Sequence, residues 1–329
     1  MQNTMTRREF VKLASVVGGS MLLGASLLNS AFAAPRVNVQ GFFSTQKLYN
    51  DVAIPLYGFN ADKAIVDTSA MKITEKSSLS SEDNGAQIVL EALKSGYKHI
   101  EASIESSGNV GDGFVLSQLP RQDVFLSLHL SKNITTGEEV VAEFNEGLAK
   151  MKTDYADLVL LEIPQNSKND VSWLEMATDM WQALEELYKQ NRVRAIGVAN
   201  LQPEQFYDFI DSCTIKPMVN ELNINPFTLD HENKVFIERL RNHKIALSTT
   251  TPLGNFEGSV YDPILQKVAQ KHNKTGAQVA LRWGLQSGFL TLPPANTIAQ
   301  VKEYADVFSF ALDMRDMKAI SRVHEKKKK

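Results

Sequence analysis

The chain has 329 residues, 43% of them hydrophobic and 22% charged, with a formal net charge of −3. That balance belongs to a soluble globular protein: it excludes a disordered chain, and a mildly negative charge gives no electrostatic footprint for a nucleic-acid partner. A single cysteine, Cys213, excludes a disulfide framework, so stability has to come from one large core.

The N-terminus is read first, because it does not belong to the fold. Thr6-Arg7-Arg8-Glu9-Phe10-Val11-Lys12, an apolar run from Leu13 to Leu28, and Ala31-Phe32-Ala33 form the charged head, short apolar middle and small-residue cleavage site of an export signal. The paired arginines followed by Phe10 and Lys12, and the dilution of the apolar run by Gly18, Gly19, Ser20 and Gly24, resemble a twin-arginine signal. That resemblance implies passage of the folded protein through the twin-arginine export machinery and a periplasmic location. The apolar run is shorter than the roughly 20 residues a spanning helix needs. The expected organisation is a signal peptide over 1–33 and one domain over 34–329.

Beyond the signal, short apolar runs alternate with stretches of helical period. The runs Leu56–Phe59, His99–Ala102, Val124–Leu128, Leu158–Leu161, Ala195–Val198, Val219–Leu222, Ile245–Ser248 and Leu290–Leu292 read as strands. Asp83–Ser95, Glu138–Lys150, Trp173–Gln190, Glu204–Asp211, Glu232–Asn242 and Gly276–Gln286 read as amphipathic helices. In Trp173–Gln190 the stripe Leu174, Ala177, Trp181, Leu184, Leu187 is the face expected against the strands. This βα alternation predicts an α/β fold, a (β/α)8 TIM barrel. The competing open doubly wound sheet lacks the Gly-rich strand-to-helix turn that dinucleotide binding requires there. Lys326–Lys329 reads as a solvated end.

Several blocks suggest a family. LYNDVAIPLYGF (Leu48–Phe59), GYKHIEAS (Gly96–Ser103), QDVFLSLHLS (Gln122–Ser131), DYADLVLLEIP (Asp154–Pro164), ALEELYKQNRVRAIGVAN (Ala183–Asn200), VNELNINPF (Val219–Phe227), TPLG (Thr251–Gly254) and GAQVALRWGLQSGFLTLP (Gly276–Pro293) resemble, in order, the consecutive blocks of the aldo-keto reductases. The resemblance implies a (β/α)8 barrel and NADP(H)-dependent reduction of carbonyls by an Asp, Tyr, Lys and His at the C-terminal strand ends. In this chain the Asp position falls on Glu101, the Tyr position on Ser106 or Ser107, the Lys position on His129 and the His position on Glu162. An aliphatic hydroxyl lies far above the ~10 of a phenol and cannot replace it as proton donor, whereas an imidazolium at His129 is a competent acid. At the positions that hold the nicotinamide the resemblance points to Ala199, Asn200 and Glu221, with Thr250 where a stacking ring is expected. Pro294 and Gln300 stand at the positions of the cations that clamp the 2′-phosphate.

By the same register, Glu101, His129, Glu162 and Glu221 are expected to converge near Asn200. Carboxylates and an imidazole in one pocket need protons, partners or a cation, either a divalent metal or a cationic small molecule; oxygen and imidazole donors suit Mn, Fe or Zn and leave Mg open. The bland alternative is pairing with a nearby lysine or arginine, or exposure to water. His231, His243 and His272 read as solvated, His99 and His324 have no partner spacing, and Met176 and Met180 read as core packing. Three classes of function follow: a reductase of the family type with a non-standard acid, a metal-assisted hydrolase or lyase built on the Glu/His cluster, and a non-catalytic protein that binds a small-molecule ligand or serves assembly.

Overall fold

An antiparallel hairpin, β1 (Thr45–Lys47) and β2 (Ala53–Pro55), precedes eight parallel strands. These are β3 (Phe59–Asn60), β4 (His99–Ser103), β5 (Phe125–His129), β6 (Ala156–Glu162), β7 (Val193–Ala199), β8 (Val219–Leu222), β9 (Ala246–Thr249) and β10 (Leu290–Thr291). They lie in one sheet in chain order, each neighbour parallel. This is a computed structural model, and it describes residues 39–62, 85–163, 172–254 and 258–324. The signal segment and Lys326–Lys329 therefore lie outside the described residues.

The two edges of the sheet meet. Tyr57 bridges to Thr291 and Asn60 to Pro294, with Gly58 N donating to Thr291 O at 3.1 Å and Thr291 N to Leu56 O at 2.9 Å. The sheet thus curls into the (β/α)8 barrel, which leaves no open edge. At this seam a Cβ on Gly58 would stand 2.7 Å from the His99 carbonyl, so only glycine lets the strands approach. Interior strands are apolar almost throughout: in β6 the first six residues are buried and only Glu162, at the C-terminal end, reaches solvent.

The helices are α1 (Gly85–Lys94), α2 (Ser107–Ser117), α3 (Gly137–Met151), α4 (Ser172–Lys189), α5 (Phe206–Ser212), α6 (His231–Asn242), α7 (Pro263–His272), α8 (Gly276–Gln286), α9 (Ile298–Ala305) and α10 (Met314–Ile320). Local chemistry fixes several starts. Thr136 with Glu139, and Thr275 with Gln278, form capping boxes for α3 and α8, each satisfying two orphan amides. On α4 the buried face includes Ala177, Trp181, Leu184 and Leu187 as the periodicity predicts, with Met180 in the core; Trp173 takes the place of the half-buried Leu174. Trp181 is fully buried and its Nε1 donates to Ile215 O at 2.9 Å.

Some expectations are corrected. The run Leu56–Phe59 is not one strand: Ala53–Pro55 pairs with β1, and Phe59–Asn60 pairs with β4. A continuous apolar run has no period to say where the chain changes sheet. Helix α2 was not apparent because SGNVGDG holds three poor helix formers, yet it packs tightly: a Cβ on Gly111 would lie 2.1 Å from Lys150 O at the end of α3. His272 is not solvated, since its Nε2 bonds Asp316 Oδ2 at 2.8 Å. His243 rests edge-on against the Phe206 ring, centroids 5.0 Å apart.

Candidate active site

The pairing register sets the site. Glu101 stands across from Asn60 and Ser127, Ser103 from His129, Ala199 from both Glu162 and Glu221, and Glu221 from Ser248. Every one of these positions is at or near the C-terminal end of its strand, the end of the barrel that carries chemistry. Glu101, His129, Glu162 and Glu221 come together as the sequence register implied.

His129 is the centre. Its Nε2 lies 3.2 Å from Glu162 Oε2 and its Nδ1 lies 3.6 Å from Glu221 Oε1. Glu162 Oε1 accepts from Asn200 Nδ2 at 2.6 Å, Glu221 Oε2 from Ser248 Oγ at 2.9 Å, and Glu101 Oε1 from Asn60 Nδ2 at 2.9 Å. One donor atom each of Glu101, His129 and Glu221 lies within 4.8 Å of the other two. Glu101 is 2% exposed and the Glu221 side chain 3%, whereas His129 and Glu162 are 19% and 18% exposed, so the cluster runs from a buried floor to a wetted rim.

Burial and mutual charge divide these groups. Burial works against a charged His129, but the hydrogen bond to Glu162 and the nearby charges of Glu221 and Glu101 outweigh it and raise its pKa to about 9. Burial, then the charge of Glu221, push Glu101 well above the ordinary carboxylate range, with His129 opposing. Burial raises Glu221 as well, against His129 and Ser248. Glu162 goes the other way: it is partly desolvated, yet the hydrogen bonds from His129 and Asn200 hold its pKa down. At neutral pH the site is an imidazolium clasped by one ionised carboxylate, above two carboxyls that resist ionisation together. Among the described residues no lysine or arginine forms an ion pair with Glu101 or Glu162, though the charge of Lys132 also helps hold Glu162 down.

The remaining positions are placed as follows. Ser106 is buried, and its Oγ donates to Asp62 Oδ1 at 3.0 Å and accepts from Ser103 N at 3.0 Å; Ser107 Oγ donates to Ile104 O at 2.8 Å. Neither serine bonds a member of the Glu/His cluster. Asn200 sits at φ 58°, its N–H donating to Glu221 O at 2.8 Å. Ala199 is buried, Thr250 offers no ring, and Pro294 lies in the bridge to Asn60. Gln300 turns its Oε1 onto Asn296 N at 3.0 Å. His99, away from the rim, bonds Ser127 Oγ, and burial lowers its pKa to about 3. Sequence reading missed Asn60, Ser248 and Asp62; for Asn60 and Ser248 the signal available was a polar strand residue directly across from an acid, Glu101 and Glu221, whereas Asp62 lies past the end of β3.

The sequence profile of the aldo/keto reductase family matches residues 70–325. The chain belongs to the aldo/keto reductase family. It is 31% identical over 284 residues to the glyoxal reductase of Bacillus subtilis (strain 168), a match covering 85% of this chain and 93% of that protein. It is 32% identical over 247 residues to the 9,11-endoperoxide prostaglandin H2 reductase of Trypanosoma cruzi, covering 74% and 83%. The crystal structure of an aldo/keto reductase from Brucella melitensis matches with a TM-score of 0.70 at 29% identity, over 84% of this chain and 98% of that one. An aldo-keto reductase of Bombyx mori, solved in complex with NADP, shares the fold at a TM-score of 0.71 and 23% identity, over 84% and 92%. The named relatives are thus reductases, and the Bombyx mori member of the fold was solved with NADP bound.

Proposed function

We propose that this chain is a divergent aldo/keto reductase in which the family's carbonyl reduction has been given up and the barrel mouth reshaped around a Glu–His–Glu cluster. The observation that carries this is the bond from Asn200 to Glu162. Asn200 alone retains the residue type that the family pattern places at the nicotinamide, and its amide donor is already engaged at 2.6 Å. A carboxamide entering there would meet an amide already turned toward Glu162, and would face Glu221 instead of a neutral amide.

The residues at hand do not fit NADP(H). Where a 2′-phosphate needs fixed cations, Pro294 and Gln300 offer none, and the Gln300 side chain is turned onto its own loop. Each charge-assisted hydrogen bond so lost is worth roughly 1.5–3 kcal/mol. The phenolic proton donor is lost too, since Ser106 and Ser107 stand in its place and bond Asp62 and Ile104 O. What the mouth retains is a set of groups that hold protons or a cation and can bind a small polar molecule.

The export signal supports a periplasmic place of work, reached by the twin-arginine route. Changing Arg7 and Arg8 together to Lys is expected to hold the precursor inside the cell; export unaffected by the change would sink the assignment. For the reaction, titration of NADPH fluorescence with purified mature protein is expected to show no saturable binding in the micromolar range and no oxidation with glyoxal, the substrate named in the B. subtilis relative. Micromolar binding with hydride transfer would overturn the reading.

A further inference from the structure

We propose that the mouth is a divalent transition-metal site, with Glu101, His129 and Glu221 as ligands and Glu162 as the residue that orients the histidine. The inference rests on the reading of a mouth released from NADP(H), and it names what takes the cofactor's place.

Three strands, β4, β5 and β8, each deliver one ligand, and the three donor atoms already lie within 4.8 Å of one another. Ligands at the usual ~2.0–2.2 Å from zinc stand about 3–3.6 Å apart in a tetrahedral site. His129 Nδ1 and Glu221 Oε1, at 3.6 Å, are at that spacing. Only a small movement is needed for the third group to close in.

The outer contacts separate this from a chance gathering of acids. Each ligand has one atom held from behind: Asn60 holds Glu101 Oε1, Ser248 holds Glu221 Oε2, and Glu162 takes His129 Nε2. Asn200 in turn holds Glu162. The carboxylate–histidine pair fixes the ring and leaves Nδ1 to face the other two ligands, the arrangement that metal-bound histidines use. Glu101 and Glu221 are each 2% exposed, and the charged group that meets Glu221 is the His129 imidazole, with Nδ1 3.6 Å from Glu221 Oε1. Two buried carboxylates converging on one imidazole, with no lysine or arginine paired to either among the described residues, form a donor set that a cation completes.

The donor set selects the ion. Two carboxylates and one imidazole suit Zn(II), Mn(II) or Fe(II); Ca(II) requires more oxygens, and the absence of sulfur from the set disfavours Cu(I). Three protein ligands leave coordination positions open, and the wetted side of His129 gives an ion and a water access to them.

The test uses mature protein stripped with a chelator and titrated calorimetrically with Zn(II) and Mn(II). One equivalent is expected to bind. Glu101→Gln and Glu221→Gln should each weaken binding at least 100-fold, and Glu162→Gln roughly 10–100-fold, the size of an outer-contact effect. Co(II) added to the unmodified protein provides a readout that needs no variant: a visible spectrum of a four- or five-coordinate nitrogen–oxygen site is expected. If no metal binds the wild type, or if Glu101→Gln and Glu221→Gln fold and bind as the wild type does, the inference is overturned. NADPH binding would instead overturn the reading beneath it, so the two failures are distinct.

Discussion

Two ends of the same barrel hold buried carboxylates in opposite ways. At the N-terminal end of β6, Asp157 is 1% exposed and receives Arg121 Nη2 at 2.7 Å, Arg194 Nη1 at 2.6 Å and Leu126 N at 2.9 Å. At the C-terminal end, Glu101 and Glu221 are as deeply buried, and the charged side chain nearest to hand is His129. The chain completes the lower carboxylate with its own cations and leaves the upper pair short of one. A buried acid paired with its own cations serves stability; a set held only by neutral donors and one imidazole is where a ligand enters.

The largest expected effect comes from breaking the finished end. Asp157→Ala removes the carboxylate shared by Arg121, whose side chain is only 17% exposed, and the Leu126 amide; Arg121 keeps Thr153 Oγ1, Val124 O and Tyr155 O, so the cost should be about 3 kcal/mol, the low end for loss of one partner of a buried pair. The half-exposed Arg194 adds little to that figure. Urea unfolding at neutral pH measures it. A loss under 1 kcal/mol would show that Asp157 is not what holds the lower end.

The second effect belongs to the mouth and depends on pH. His129 rises from its ordinary 6.5 to about 9 in the folded chain, so its contribution is fully present below pH 6.5 and is lost as the pH climbs through 9. Glu101 and Glu221, both raised, act in the same direction: the folded chain keeps protons that the unfolded chain releases. Chelator-treated protein should therefore lose on the order of 2–3 kcal/mol between pH 6.5 and 9. Denaturant melts across that range check it, and a flat profile would contradict the assigned charges.

The smallest effect sharpens the contrast. Glu221→Gln in metal-free protein replaces a carboxyl whose charged form burial disfavours with a neutral isostere, and at pH 6 should change stability by no more than about 1 kcal/mol. The same substitution should flatten the alkaline loss. A cost as large as that of Asp157→Ala, read by the same urea melts, would mean that Glu221 is a structural acid like its counterpart below.

The strand positions were legible because barrel strands buried on both faces read as unbroken apolar runs, and the blocks around Gly96–Ser103 and Ala183–Asn200 fix their register. Register alone was enough to bring Glu101, His129, Glu162 and Glu221 together. Their division of labour was not legible. Whether Glu162 is a ligand or an orienting group depends on which imidazole nitrogen it meets, and that is set by the side-chain geometry at the ends of β5 and β6. Asn60 and Ser248 were missed because an amide or hydroxyl closing a strand looks like any solvated end until the residue across from it is known. Helix α2 was hidden by its glycines, of which close packing requires Gly111 against α3 and Gly113 against α1.

The most direct measurement is a crystal structure of the mature protein grown with Zn(II), with anomalous differences collected at the zinc edge. A single strong peak within about 2.0–2.2 Å of Glu101, His129 Nδ1 and Glu221, with Glu162 still on Nε2, is the predicted result. A mouth without a peak would contradict the metal site. Density for a dinucleotide, its nicotinamide against Asn200 and its phosphate near Gln300, would contradict the whole account of a barrel turned away from its family's cofactor.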